Sequence, residues 1–398
     1  MTERLPLTGG TPFVLLDDAT GAGSSRLYRN PRQALVAHHL PDVPDALAQA
    51  RHHLSEGRHV AGVISYAAGG AFEPRMRSRV RAGRPLVWLG VFDAVETVQN
   101  TSCILPPPGH GRVGLLKPTI SRDAYVERVE RALALIGRGD IYQVNLSFPS
   151  TVEIRASPLE VYSDLRAGYQ GAWGGVVYDG RNWLLSCSPE LFFSLRDRVL
   201  IAKPMKGTAL RHDDPSSDAL SAARLRSDPK ERAENLMIVD LLRNDLTRVA
   251  QPGTVKVPSL FEVEHFPTVH QMTSTVSAGL RTGMDAIDVI KAAFPCGSVT
   301  GAPKIRAMEI IEALEDHDRG PYTGSIGFIS PNGDAAFNVI IRSLEVKDGA
   351  ATARLCLGSG IVSDSEPDAE WRECLAKARF LTTAGHLASE RVGLGSTG

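Results

Sequence analysis

Residues 175–202 read GVVYDGRNWLLSCSPELFFSLRDRVLIA, four short β runs separated by connections too brief to hold a helix. The runs are Gly175–Tyr178, Leu184–Cys187, Leu191–Leu195 and Val199–Ala202, and Asp179-Gly180 marks the first reversal. Parallel neighbours would need a crossover of about a dozen residues or more, so these runs predict antiparallel pairing. Downstream, a hairpin is expected from Thr323 to Val346, turning at Pro331-Asn332-Gly333-Asp334 and followed by Ala351–Leu357. Upstream, Ile141 to Phe148 alternates Tyr142, Val144, Leu146 and Phe148 with Gln143, Asn145 and Ser147, giving one apolar and one polar face.

Helices are expected in separate blocks at 121–137, 228–249, 285–294, 303–314 and 367–387. Ser121 and Asp228 stand as N-caps, and Pro229 with Glu231 completes the start of the second block. Blocks of helices apart from runs of strands predict an α+β fold rather than a doubly wound sheet. Pro106-Pro107-Pro108-Gly109 is the best linker, dividing an N-terminal portion, 1–117, from a larger one, 118–390.

The 398 residues include 44 basic and 45 acidic side chains, a net charge of −1, which gives no electrostatic basis for binding nucleic acid or an anionic membrane. No apolar run approaches a membrane span. Five scattered cysteines without metal-ligand spacing suit reduced thiols in a cytoplasmic protein.

Candidate chemistry clusters in a few segments. Lys206 lies in Lys203-Pro204-Met205-Lys206-Gly207-Thr208, behind a proline and ahead of a tight turn, where an amine could serve as nucleophile, base or anion partner. Glu231 and Glu234 stand one turn apart on a helix; such a pair converges on a hard cation or is simply solvated. Glu370, Glu373 and Lys377 fall within an arc of roughly 60° on the last helix. The approach to that helix, Gly358-Ser359-Gly360, could offer backbone N–H groups to an anion. Cys296–Lys304 is a second glycine-rich turn containing Thr300, but its spacing fits no phosphate loop. Glu190, at the entry to an apolar strand, would be desolvated, which suits either a general acid or one half of a structural salt bridge.

In this order the segments resemble the chorismate-utilising enzymes, a family that includes anthranilate, aminodeoxychorismate, isochorismate and salicylate synthases. The resemblance rests on Gly139-Asp140-Ile141-Tyr142-Gln143, Ser188-Pro189-Glu190-Leu191, Pro204-Met205-Lys206-Gly207-Thr208, Glu231-Arg232-Ala233-Glu234-Asn235, Tyr322-Thr323-Gly324, Ile341-Arg342-Ser343 and Glu366–Glu373. It implies two packed antiparallel sheets ringed by helices, with the active site between them.

It also implies a magnesium ion held by Glu234 and Glu373, with Glu231 and Glu370 beside them. Tyr322, Arg342, Lys377 and Thr300 would bind substrate together with backbone donors of Gly358 and Gly360, and Glu190 would protonate the departing 4-hydroxyl. A lysine at 206 and an asparagine at 235 resemble aminodeoxychorismate synthase component I, whose lysine attacks C2 before ammonia enters at C4. Anthranilate and isochorismate synthases are the alternative enzymes, and a catalytically silent chorismate-binding subunit the non-enzymatic one. No glutaminase signature is present, so ammonia is expected from a separate glutamine amidotransferase subunit.

Overall fold

The computed structural model of the chain describes residues 7, 9–20, 24–76, 79–80, 83–168, 171–266 and 269–381. Two ten-stranded sheets stack face to face, and every strand pair in them is antiparallel. The α+β expectation holds, with helices segregated to the outer faces.

The first sheet runs in the order Gly301–Ala302, Gln143–Ile154, Thr352–Ile361, Ser343–Lys347, Asn182–Ser186, Gly174–Tyr178, Phe13–Asp17, Ser25–Arg29, Glu96–Val98, with Val113–Pro118 also pairing Gln143–Ile154. The second runs Met205–Leu210, Val269–Gly279, Val199–Lys203, Leu191–Arg196, Ala335–Asn338, Ser325–Ile329, His59–Ile64, Val87–Phe92, Gln33–Ala37, with Lys256–His265 on Val269–Gly279. Residues ahead of the Pro106–Pro108 linker thus supply three strands to each sheet, and both sheets run across residue 117.

The first quoted runs part company after Ser186: Gly174–Tyr178 and Asn182–Ser186 stay in one sheet, while Leu191–Arg196 and Val199–Lys203 enter the other. Glu190 sits at that switch. The expected hairpin pairs Ser325–Ile329 with Ala335–Asn338, but Ser343–Lys347 does not continue it. The chain crosses to the first sheet through Arg342, whose φ of 50° makes the sharp change of direction.

Three apolar clusters account for the layering. Tyr125, Val129 and Ala132 of helix Arg122–Gly137 and Ile310, Ile311 and Leu314 of helix Lys304–Leu314 cover the outer face of the first sheet. Ile238, Val239, Leu242 and Leu246 of helix Pro229–Thr247 and Ala286–Ala293 cover the second. Between the sheets the cluster is smaller, built on Tyr28, Val63, Trp88, Val177, Leu184 and Phe328. It leaves part of the inter-sheet space to polar side chains, and the candidate site lies there.

Both N-caps form, but Glu231 does not complete a capping box with Asp228. Ser121 accepts a hydrogen bond from the Ala124 amide, and Asp228 accepts from Lys230 and Glu231. The last helix ends earlier than expected, at Ala376, and continues as a 3-10 turn, Lys377–Leu381; the remainder of the expected stretch to 387 lies outside the described residues. All five cysteines are free, four of them buried and Cys103 exposed.

Candidate active site

Lys206 reaches the site from the edge strand Met205–Leu210 of the second sheet. Its Nζ lies 2.8 Å from where a Cβ on Gly360 of the first sheet would stand. The amine therefore spans the cleft, and only glycine at 360 leaves it room. Gly207, at φ 93°, makes the turn that presents it, with the Glu231 carboxylate 2.9 Å from the position a Cβ there would take.

The positive charge of Lys206 acts on four carboxylates, Glu190, Glu231, Glu234 and Glu373. These come from the sheet switch, the helix Pro229–Thr247 and the helix Pro367–Ala376, segments far apart in sequence. Glu190 is buried, and desolvation pushes its carboxyl up to about 7 against the pull of the Ser298 hydroxyl, Lys206 and Lys377. One of its oxygens, Oε1, is buried without a partner. Such a carboxyl holds its proton into the neutral range and has a free position from which to hand it on.

Glu231 and Glu234 are raised too, first by burial; Glu234 adds to the shift of Glu231, and Asp364 and Glu370 to that of Glu234. Burial also weighs on Glu373, yet the adjacent Lys377 ammonium, 2.8 Å from its Oε1, wins and holds it below the usual carboxylate range. Lys377 also donates to the Gly358 carbonyl at 2.9 Å. Glu370 accepts from Ser365 through Oε1, while its Oε2 is buried and unpartnered.

Among the described residues no group of three or more His, Cys, Asp or Glu side chains is placed to hold a metal ion. Glu231, Glu234 and Glu370 nevertheless fit a hard divalent cation. They are all-oxygen donors, Glu234 raises Glu231 and Glu370 raises Glu234 despite the nearby charges of Lys206 and Lys230, and Glu370 keeps a buried oxygen without a partner. Magnesium commonly takes only one or two carboxylates and completes its shell with water and ligand oxygens.

Tyr322 borders the strand Thr352–Ile361 that carries Gly358 and Gly360. The Tyr322 hydroxyl lies 2.9 Å from the Cβ position of Gly358, and burial pushes its phenol far up, so it remains a neutral donor. Burial draws the Arg342 guanidinium down to about 10, still charged at neutral pH. Thr300 is fully buried, and its hydroxyl donates to the carbonyls of Cys296 and Gly297 within its own turn. That turn owes its glycines to packing: a Cβ at Gly301 would stand 2.2 Å from the Gln143 carbonyl. Lys304 turns away to Asp245 and the Ala293 carbonyl.

Gln143 was missed as an individual site residue. Its side chain is wholly buried, both amide atoms lack partners, and Nε2 lies 3.1 Å from the Gly360 Cβ position, beside Lys206. Asn145, opposite Gly360 in the sheet, likewise keeps Nδ2 unpartnered. The polar face of the 141–148 run was the available signal. Buried amides with open hydrogen-bonding positions beside a lysine and a raised carboxyl suit the binding of a small polar molecule.

Behind the site, Arg319 and Glu315 form a buried pair at 2.6 Å. Arg319 also donates to the Asn145 carbonyl, and Glu315 accepts from both the amide and the hydroxyl of Ser147.

The fold is that of an enzyme family. Residues 12–383 match the model of the chorismate binding enzymes, and the chain belongs to that family. It is 43% identical over 261 residues to aminodeoxychorismate synthase component 1 of Klebsiella aerogenes, covering 66% of this chain and 57% of that protein. It is equally 43% identical over 284 residues to anthranilate synthase component 1 of Streptomyces coelicolor, covering 70% and 54%. The chain thus spans little more than half the length of these relatives. Anthranilate synthase component I of Streptococcus pneumoniae superposes with a TM-score of 0.79 at 26% identity, over 91% of this chain and 92% of that one.

Proposed function

We propose that the chain is the chorismate-converting component of an aminodeoxychorismate synthase, acting in p-aminobenzoate and folate formation. The observation that carries this reading is the placement of Lys206, an amine facing Gly360 across the cleft with the Glu190 carboxyl in reach of its charge. Aminodeoxychorismate synthases resemble this chain in carrying that lysine, where anthranilate synthases usually have a small residue.

The chemistry needs an amine free of its extra proton and an acid that still has one. Lys206 forms a C–N bond at C2, the ring double bond shifts, and the C4–O bond breaks. Glu190 gives the departing hydroxyl its proton, so it leaves as water. Ammonia then forms a bond at C4, the double bond shifts back, and the bond from C2 to Lys206 breaks, returning the neutral amine, while the ammonium formed at C4 gives one proton back to the Glu190 carboxylate. The net change is loss of water and gain of one nitrogen at C4. Arg342, Tyr322, Lys377 and the backbone of Gly358 and Gly360 would hold the substrate carboxylates. A magnesium ion held by Glu231, Glu234, Glu370 and Glu373 would supply positive charge to the ring carboxylate and withdraw electrons from the conjugated ring. Ammonia would come from a separate glutamine amidotransferase chain.

Anthranilate synthesis is the second reading, favoured by the equal identity to the Streptomyces relative. Incubation of the chain with chorismate, magnesium and ammonium, followed by chromatographic identification of the product, decides between them. 4-Amino-4-deoxychorismate is expected; anthranilate or isochorismate as the main product overturns the reading.

A further inference from the structure

The strand Met205–Leu210, which carries Lys206, does not pair evenly with its neighbour Val269–Gly279. Met205 stands opposite Thr273 and Thr208 opposite Gln271, so two residues, Lys206 and Gly207, face the single Met272. Such a β-bulge re-aims a side chain and leaves part of the ladder unmade. Here it sends the amine towards Gly360 of the other sheet.

The bulge is also a weak point. Gly207 has a φ of 93° and no side chain to limit rotation next to the lysine. None can be supplied there, since a Cβ would stand 2.9 Å from the Glu231 carboxylate and 3.2 Å from the Met272 side chain. Stiffness has to come from outside the turn.

Gln271 supplies it. Its Nε2 donates to the Gly207 carbonyl at 2.8 Å, and its Oε1 accepts from the Thr208 hydroxyl at 3.1 Å. Both ends of one amide are spent on consecutive residues, donor on carbonyl and acceptor on hydroxyl, so the amide cannot turn over without losing both bonds. On the other side of the lysine, the Pro204 carbonyl accepts from the Ser274 amide at 3.3 Å. Lys206 thus stands between two tethers to one strand, and the Gln271 tether spans the bulge.

We propose that Gln271 is a positioning residue for Lys206, a side-chain clamp that closes the bulge and fixes the line along which the amine meets C2 of chorismate. The assignment rests on the reading of Lys206 as the nucleophile. A displacement of about 1 Å at a reacting centre costs on the order of a hundredfold in rate, so the clamp acts on kcat and leaves chorismate affinity alone.

Gln271→Met keeps the length of the side chain and removes both bonds. Gln271→Glu keeps the acceptor for Thr208 and loses the donor for Gly207. Each variant is assayed for chorismate loss with magnesium and ammonium, for chorismate affinity by calorimetry and for melting temperature, alone and combined with Lys206→Ala. The expected result in both is a kcat lower by about ten- to a hundredfold, with affinity within a few fold and an unmoved melting temperature. In the Lys206→Ala background Gln271→Met makes no further difference, because no amine remains to be placed. Gln271→Glu carries the test if Gln271→Met melts early. The proposal is overturned by a loss of affinity that matches the loss of rate, or by an undiminished loss on top of Lys206→Ala. An inactive Lys206→Ala beside normal kcat in the Gln271 variants overturns this proposal alone. Normal turnover in Lys206→Ala overturns the reading of the lysine, and this proposal with it.

Discussion

The Nζ of Lys206 and the α-carbon of Gly360 face each other across the two sheets so closely that one added methyl at 360 would stand 2.8 Å from the amine. Gly360→Ala is therefore expected to push Lys206 aside. Because the obstructing atom is the far end of a flexible chain, the melting temperature should barely move. Turnover should fall by about a hundredfold, the scale of a small misplacement at a reacting centre. Equal activity in steady-state assays would show that Lys206 has no need of that position.

Lys206→Ala tests the amine itself. Turnover of chorismate to the C4-aminated product should drop by at least about a thousandfold while chorismate binding, followed calorimetrically, stays within a few fold. A C2-substituted product in its place would still agree with a role in directing the nitrogen. Near-normal formation of the C4-aminated product would remove the covalent step.

The raised Glu190 carboxyl gives a pH signature. Between its ordinary value of 4.5 and about 7 the unfolded chain has lost this proton and the folded chain keeps it, so the folded state binds more protons. Stability from this group is full below pH 4.5 and falls as pH rises to 7, by about 3 kcal/mol in all. Glu190→Gln should then leave urea stability unchanged near pH 4 and increase it above pH 8. Its kcat should fall by roughly 10²–10⁴, the usual worth of a positioned acid. A uniform stability change at both pH values would contradict the assignment.

Chelation should abolish turnover, and added magnesium should restore it. In Glu234→Gln the magnesium needed for half-maximal rate should rise by roughly tenfold or more, since one oxygen donor and one charge are lost. An unchanged requirement would take Glu234 out of the metal site.

The Glu315–Arg319 pair is almost fully enclosed, with side-chain exposures of 3% and 2%. Arg319→Ala strands a buried carboxylate and should cost about 3–5 kcal/mol in urea unfolding. The double change Glu315→Gln, Arg319→Met should recover much of that loss.

Local features were legible. The turn at Asp179-Gly180, the caps at Ser121 and Asp228 and the polar face at Gln143, Asn145 and Ser147 all follow from rules that act within a few residues. What escaped was set over longer distances. Val269–Gly279 is rich in Ser and Thr, and Thr273 and Ser274 are buried because Glu264 and Asn235 receive their hydroxyls, so its alternation is masked. Helix Pro215–Ser227 buries only Leu225 and lacks an apolar stripe to announce it. The change of sheet at Arg342 depends on which strand is already in place on each side, which no window of sequence contains. Gln143 matters because Gly360 and Lys206 stand beside it, and neither is its neighbour along the chain.

The interleaving of the strands has a consequence for synthesis. The strand Gln143–Ile154 finds one of its neighbours only when Thr352–Ile361 has been made, and His59–Ile64 waits for Ser325–Ile329. A nascent chain leaving the ribosome therefore carries open sheet edges for most of its length, and both sheets close only with the last hundred or so residues. Premature termination anywhere before Ile361 leaves neither half a smaller working protein, and the unpaired edges make such fragments targets for chaperones and proteases.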